Sequence, residues 1–155
     1  MGSQSPSPRL SLTTQFAVAA RGRPGRRQLR KWAQAALEHD AEVTLRLVGR
    51  AEGRRLNRDF RGKDYATNVL TFVYPEARPL AGDIVLCAPV VEDEARAQGK
   101  PRDAHYAHLV VHGMLHLQGY DHERSRAARA MEARETEIVT RLGYADPYAD
   151  DGPSP

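Results

Sequence analysis

NVLTFVY (residues 68–74) and DIVLCA (residues 83–88) are short continuous apolar runs bounded by turn residues, with Pro75 and Gly82 bracketing the connection between them. Runs of this length and composition are expected of central strands buried on both faces. Reading toward the N-terminus, EVTLRLV (residues 42–48) puts Val43, Leu45 and Leu47 on one face as a half-buried strand, and Leu10, Leu12 and Thr14 alternate with Ser11 and Thr13 as a weaker one. Between them, residues 26–39 carry Leu29, Trp32, Ala33, Ala36 and Leu37 at helical spacing, and residues 51–59 form a basic helical stretch. From Pro89 onward the period is helical, in three segments at 90–98, 102–118 and 123–142, each broken by a Gly, Pro or loop signal. The expectation is a small α/β domain with a helical C-terminal third and no internal repeat.

At 155 residues, with 41% apolar and 28% charged residues, the chain is long enough for one core and unlike collagen, coiled-coil or wholly disordered sequences. Residues 1–8, rich in Ser and Pro, and the acidic, Pro-containing residues 146–155 read as poorly ordered tails, leaving one domain at 9–145. No apolar run approaches a membrane span, and residues 16–20 are too short for a signal-peptide core. A single cysteine, Cys87, forms no internal disulfide. No membrane partner and a cytoplasmic location are therefore expected. The net charge of +3 conceals two opposed halves: residues 1–63 hold 14 Arg or Lys against 5 Asp or Glu, and residues 64–155 hold 9 against 15. Such a split is the footprint of a basic face turned to a polyanion, although solvated arginines paired with the acidic half give the same count.

Five of the six histidines fall within 18 residues: His105, His108, His112, His116 and His122. His112 and His116 are i and i+4 on an expected helix, so they project from one face about one turn apart and can share a metal ion. His108 continues the stripe, but it lies roughly 12 Å along the axis from His116, too far for all three to reach one ion. Gly119 ends the helix and lets His122 return as the third ligand. The resulting HGMLHLQGYDH (residues 112–122) matches the three histidines and the glycine of the metzincin protease pattern. Gly113 stands where those proteases carry their catalytic glutamate, which disfavours ordinary peptidase chemistry. Three histidines without cysteine resemble a catalytic zinc site with an open position; imidazoles also suit nickel, copper and iron. His105 and His108 are expected to be structural or to support the ligands from behind, and Asp121 to cap the helix that begins near Glu123 or, alternatively, to orient a ligand histidine or the water.

HGMLHLQGYDH, together with LNRDFRGKDYATNVLTF (residues 56–72), GDIVLC (residues 82–87) and ETEIVTRLGYADPY (residues 135–148), resembles the YbeY family of endoribonucleases over most of the chain. The resemblance implies a mixed sheet of about four strands flanked by helices, one Zn2+ per chain on His112, His116 and His122, and activity on single-stranded RNA. It further implies maturation of ribosomal RNA, notably the 3′ end of the 16S RNA, ribosome quality control, and the ribosome or its small-subunit proteins as partners. Arg61 matches an arginine essential in the family. The chain departs from the family's T-N-V-L-S-F-P at Thr71 and Val73.

In the expected chemistry, zinc-bound water attacks an RNA phosphodiester and the Arg61 guanidinium clamps the charge-rich phosphoryl group. The alternative for Arg61 is a surface ion pair with Asp59 or Asp64. Arg54, Arg55, Arg58 and Lys63 are candidate RNA-backbone contacts or a solvated face. Two other functions remain: a zinc hydrolase of peptides or small molecules, and a ribosome-assembly factor with a structural metal. No general base is assignable, and neither is the oligomeric state.

Overall fold

The computed structural model describes residues 7–149. The elements are β1 (Leu10–Phe16), α1 (Arg26–Ala35), β2 (Ala41–Val48), α2 (Arg50–Arg61), β3 (Val69–Tyr74), β4 (Leu80–Cys87), α3 (Ala88–Gln98), α4 (Arg102–Leu117) and α5 (Ser125–Arg141). The sheet order is β1-β2-β4-β3, with β1, β2 and β4 parallel and β3 antiparallel to β4. This is the expected α/β architecture with a mixed four-stranded sheet. Strand alternation sends β4 side chains to two different cores. Ile84 and Leu86 join the larger one, with Leu29 and Trp32 of α1, Val110 and Met114 of α4, and Met131 and Ile138 of α5. Val85 and Cys87 join a smaller one on the other face, beneath Leu56 of α2 and Val90 of α3.

One of the two apolar runs is not a central strand. β4 lies inside the sheet, but β3 forms its edge, where Val73 and Tyr74 are 40% and 48% exposed. The run in β3 is apolar because Leu70 and Phe72 pack into the smaller core while Val69 reaches the larger. Cys87 N donates to Asn68 O at 2.9 Å, which sets the phase of the ladder. Antiparallel alternation then turns the backbone groups of Val69, Thr71 and Val73 away from β4, along the open edge.

α4 crosses over β3 and β4, flanked by α1, α3 and α5. Glycines allow it to sit close. A Cβ on Gly113 would meet Ile84 Cγ2 at 3.0 Å, and one on Gly82 would meet Leu117 Cδ2 at 2.1 Å. Such contacts fix the depth of α4, because well-packed interiors have no spare methylene volume.

The helix limits shift by a few residues from those expected. α1 stops at Ala35, and α2 extends to Arg61, with Gly62 left-handed at its C-cap (φ 71°). Residues 1–6 and 150–155 of the expected tails lie outside the described residues. Asp146 to Tyr148, expected within the C-terminal tail, instead pack on α5. Thr136 Oγ1 donates to Asp146 Oδ1 at 3.0 Å, and the Tyr148 hydroxyl donates to Glu135 Oε1 at 2.5 Å. No helix among the described residues is long and apolar enough to cross a membrane.

Candidate active site

The C-terminus of α4 sets the histidine geometry. Gly119 N donates to His116 O at 3.1 Å and Tyr120 N to Leu115 O at 3.0 Å, the paired bonds of a Schellman motif, with Gly119 at φ 103°. A side chain is strained at that angle, so glycine is what permits the reversal. The chain turns back and brings His122 beside the helix: its ring centroid lies 5.5 Å from that of His112 and 5.3 Å from that of His116. Imidazoles bound tetrahedrally to one ion at about 2 Å per bond have centroids roughly 5 Å apart, so the spacing fits a shared ion. The rings are grouped but not closed, since no three His, Cys, Asp or Glu side chains among the described residues form a ready metal-holding group. Burial, reinforced by His122 and His112, pulls the His116 ring below the usual histidine range. It is therefore neutral at neutral pH, with a lone pair to donate.

Behind the cluster lies a carboxylate that the sequence reading did not single out. Glu135 of α5 is fully buried. His112 Nδ1 donates to its Oε2 at 2.9 Å and His108 Nε2 donates to its Oε1 at 2.6 Å. Burial alone would raise the pKa of Glu135; hydrogen bonds from His108, His112 and Tyr148 overcome that and hold it at about 2. The carboxylate fixes the His112 tautomer with its proton on Nδ1, which leaves the lone pair on Nε2 free to bind an ion. His108 thus supports His112 indirectly, through Glu135. The available signal was a glutamate in the apolar stripe Met131, Ile138 and Val139 of α5. Asp121 does not cap α5, which starts at Ser125 without a side-chain cap; its Oδ1 accepts from Glu123 N at 2.8 Å within the loop.

The three histidines open into a cleft of ≈ 460 Å³, walled by residues 67–72 along the β3 edge, by Phe60 and Arg61 at the end of α2, and by Glu123. The extension of α2 to Arg61 is what carries the guanidinium there. Arg61 has no ion-pair partner among the described residues, because both acids that were candidates for it are taken: Asp64 by Arg54 at 2.7 Å and Asp59 by Arg58 at 3.3 Å. Arg54, Arg55, Arg58 and Lys63 do not line the cleft. The arginines among them lie earlier on α2, Arg58 roughly 4.5 Å and Arg54 roughly 10 Å along the axis from Arg61.

Gly113 is buried against Ile84 of β4, so a glutamate there would meet the core. The cleft thus differs from the metzincin arrangement by the packing of α4 and not only by one letter of sequence.

Comparison with known proteins shows the family. The family model described as endoribonuclease YbeY matches residues 23–143. An endoribonuclease YbeY of Aromatoleum aromaticum is 63% identical over 146 residues, covering 92% of this chain and 95% of its own. That of Nitrosomonas europaea is 62% identical over 139 residues, covering 90% and 85%. The solution structure of TM1509 from Thermotoga maritima superposes with a TM-score of 0.59 at 27% identity, over 84% of this chain and 88% of that one. With its strands, histidine cluster and cleft in one frame, the chain belongs to the endoribonuclease YbeY family.

Proposed function

We propose that the chain is a zinc-dependent endoribonuclease that cuts single-stranded RNA in the cleft between α4 and the β3 edge. The observation that carries this reading is the opening of the three-histidine cluster into the same cleft as Arg61, which has no ion-pair partner among the described residues. His112, His116 and His122 would hold the ion. When bound, zinc supplies Lewis acidity toward a phosphoryl oxygen and toward water. Arg61 binds the non-bridging oxygens of the scissile phosphate through its planar pair of donors and stabilises the charge that builds on them. Glu135 keeps His112 in one tautomer and one orientation. The outward backbone groups of Val69 and Thr71 offer donors and acceptors to an extended strand laid along the edge.

Ribosomal RNA is the substrate that the family points to, with maturation of the 16S 3′ end and ribosome quality control as its tasks, the ribosome or its small-subunit proteins as partners and the cytoplasm as the location. The test is cleavage of one labelled RNA sequence as a single strand and as a duplex, beside a panel of peptides, by zinc-loaded protein. Cleavage of the single strand alone is expected. Cleavage of peptides without RNA would move the chain to the zinc hydrolases, and cleavage of neither would favour an assembly role with a structural metal.

A further inference from the structure

Phe60 is the most exposed large apolar side chain among the described residues, at 65%, and it lies in the cleft wall next to Arg61. Isolated exposed apolar residues are ordinary on protein surfaces, so exposure alone says little. Two further features distinguish this one. Its ring meets Phe72 edge-on, with centroids 5.2 Å apart and planes at 70°, and Phe72 packs into the smaller core. The ring is thereby braced while most of its surface stays free. The same cleft holds the three histidines and the Arg61 guanidinium, which has no ion-pair partner among the described residues, so whatever lies across Phe60 also lies beside a group suited to phosphate.

We propose that Phe60 is a stacking platform for one nucleobase next to the scissile phosphate, with Arg61 holding the phosphate and Phe60 the base of one stretch of RNA. This assignment rests on the endoribonuclease reading and deepens it. Every base has a π-face, so such a platform tolerates any sequence. It also demands a single strand, because a base within a duplex is already stacked on both sides. A preference for unpaired RNA thus follows from one side chain.

The test uses the full-length protein and a short single-stranded RNA carrying 2-aminopurine at successive positions around the cut, read before detectable cleavage. Stacking on an aromatic ring quenches this base. Wild type should quench it at one position, and Phe60→Tyr should do the same. Phe60→Leu, which keeps the apolar contact with Phe72 but removes the π-face, should abolish the quench and weaken binding by about tenfold. In parallel cleavage assays of unlabelled RNA, Phe60→Leu should raise KM more than it lowers kcat. Thermal melting verifies that the variant is folded. Phe60→Leu protein that quenches and binds like wild type would overturn the platform, as would wild type that binds and cuts RNA without quenching at any position; both leave the nuclease reading standing. Wild type that neither binds nor cuts RNA would bring down both.

Discussion

Helices α4 and α2 each carry a row of ionisable side chains that ends at the same cleft, with His112 and His116 of one row and Arg61 of the other lining it, and the two rows are held in opposite ways. On α4, His108 and His112 are tied to one buried carboxylate, Glu135, which Tyr148 also contacts. On α2, Arg54 and Arg58 are tied to exposed acids, and Arg61 has no acidic partner among the described residues. The α4 network lies where the dielectric is low, so each bond there fixes orientation, and losing one leaves a charge or a donor stranded. The α2 pairs are solvated, exchange readily with water and salt, and contribute little to stability. The difference suits the two tasks proposed for these helices: a metal site needs ligands held to tenths of an ångström, whereas a flexible polyanion needs charge within reach.

The sharpest way to break the α4 side is Gly113→Glu, which installs the metzincin glutamate. With Ile84 Cγ2 at 3.0 Å from the new Cβ and a buried charge besides, we expect destabilisation of more than about 3 kcal/mol in chemical denaturation, and no peptidase activity. Peptide cleavage by a stably folded variant would show that the packing of α4 is not what excludes that chemistry. On the α2 side, Arg61→Ala should lower kcat for RNA cleavage by about 100-fold or more while the melting temperature stays put. Glu135→Gln keeps the size of the buried group but removes its charge, and should weaken zinc binding by about 10- to 100-fold in a competition titration.

A smaller effect concerns pH. His105 is buried against Glu94, its Nε2 2.8 Å from Oε1, and burial lowers its pKa below the usual 6.5 despite that bond. Below pH 6.5 the unfolded chain therefore takes up this proton before the folded chain does, and stability falls as pH falls through that range. His105→Gln should melt with a smaller difference between pH 7.5 and pH 5.5 than wild type. The least effect is expected at the Arg54–Asp64 pair, which is exposed at both ends. Arg54→Gln should leave the unfolding midpoint unchanged; if the salt dependence of RNA binding also stays unchanged, Arg54 lies off the RNA path.

What was legible in the sequence divides along the same line between local and distant relations. The i, i+4 pair at His112 and His116, the stop at Gly119 and the return at His122 span 11 residues, so spacing alone brought the three rings together. Glu135 stands 23 residues from His112 on another helix, and its role depends on how α5 packs on α4. The partners of the α2 arginines were equally hidden, because the loop after α2 decides that Asp64 meets Arg54 and not Arg61. Two similar apolar runs gave no sign that one was central and the other an edge, since the continuous run in β3 comes from serving two cores and a cleft wall.

The most direct measurement is a zinc titration of metal-stripped protein in which bound zinc and RNA cleavage are followed together, for wild type and for folded His116→Ala. Wild-type cleavage should rise in step with one zinc per chain, and His116→Ala should show neither tight binding nor cleavage. Full cleavage by the stripped protein, or by His116→Ala, would contradict a metal centre on α4.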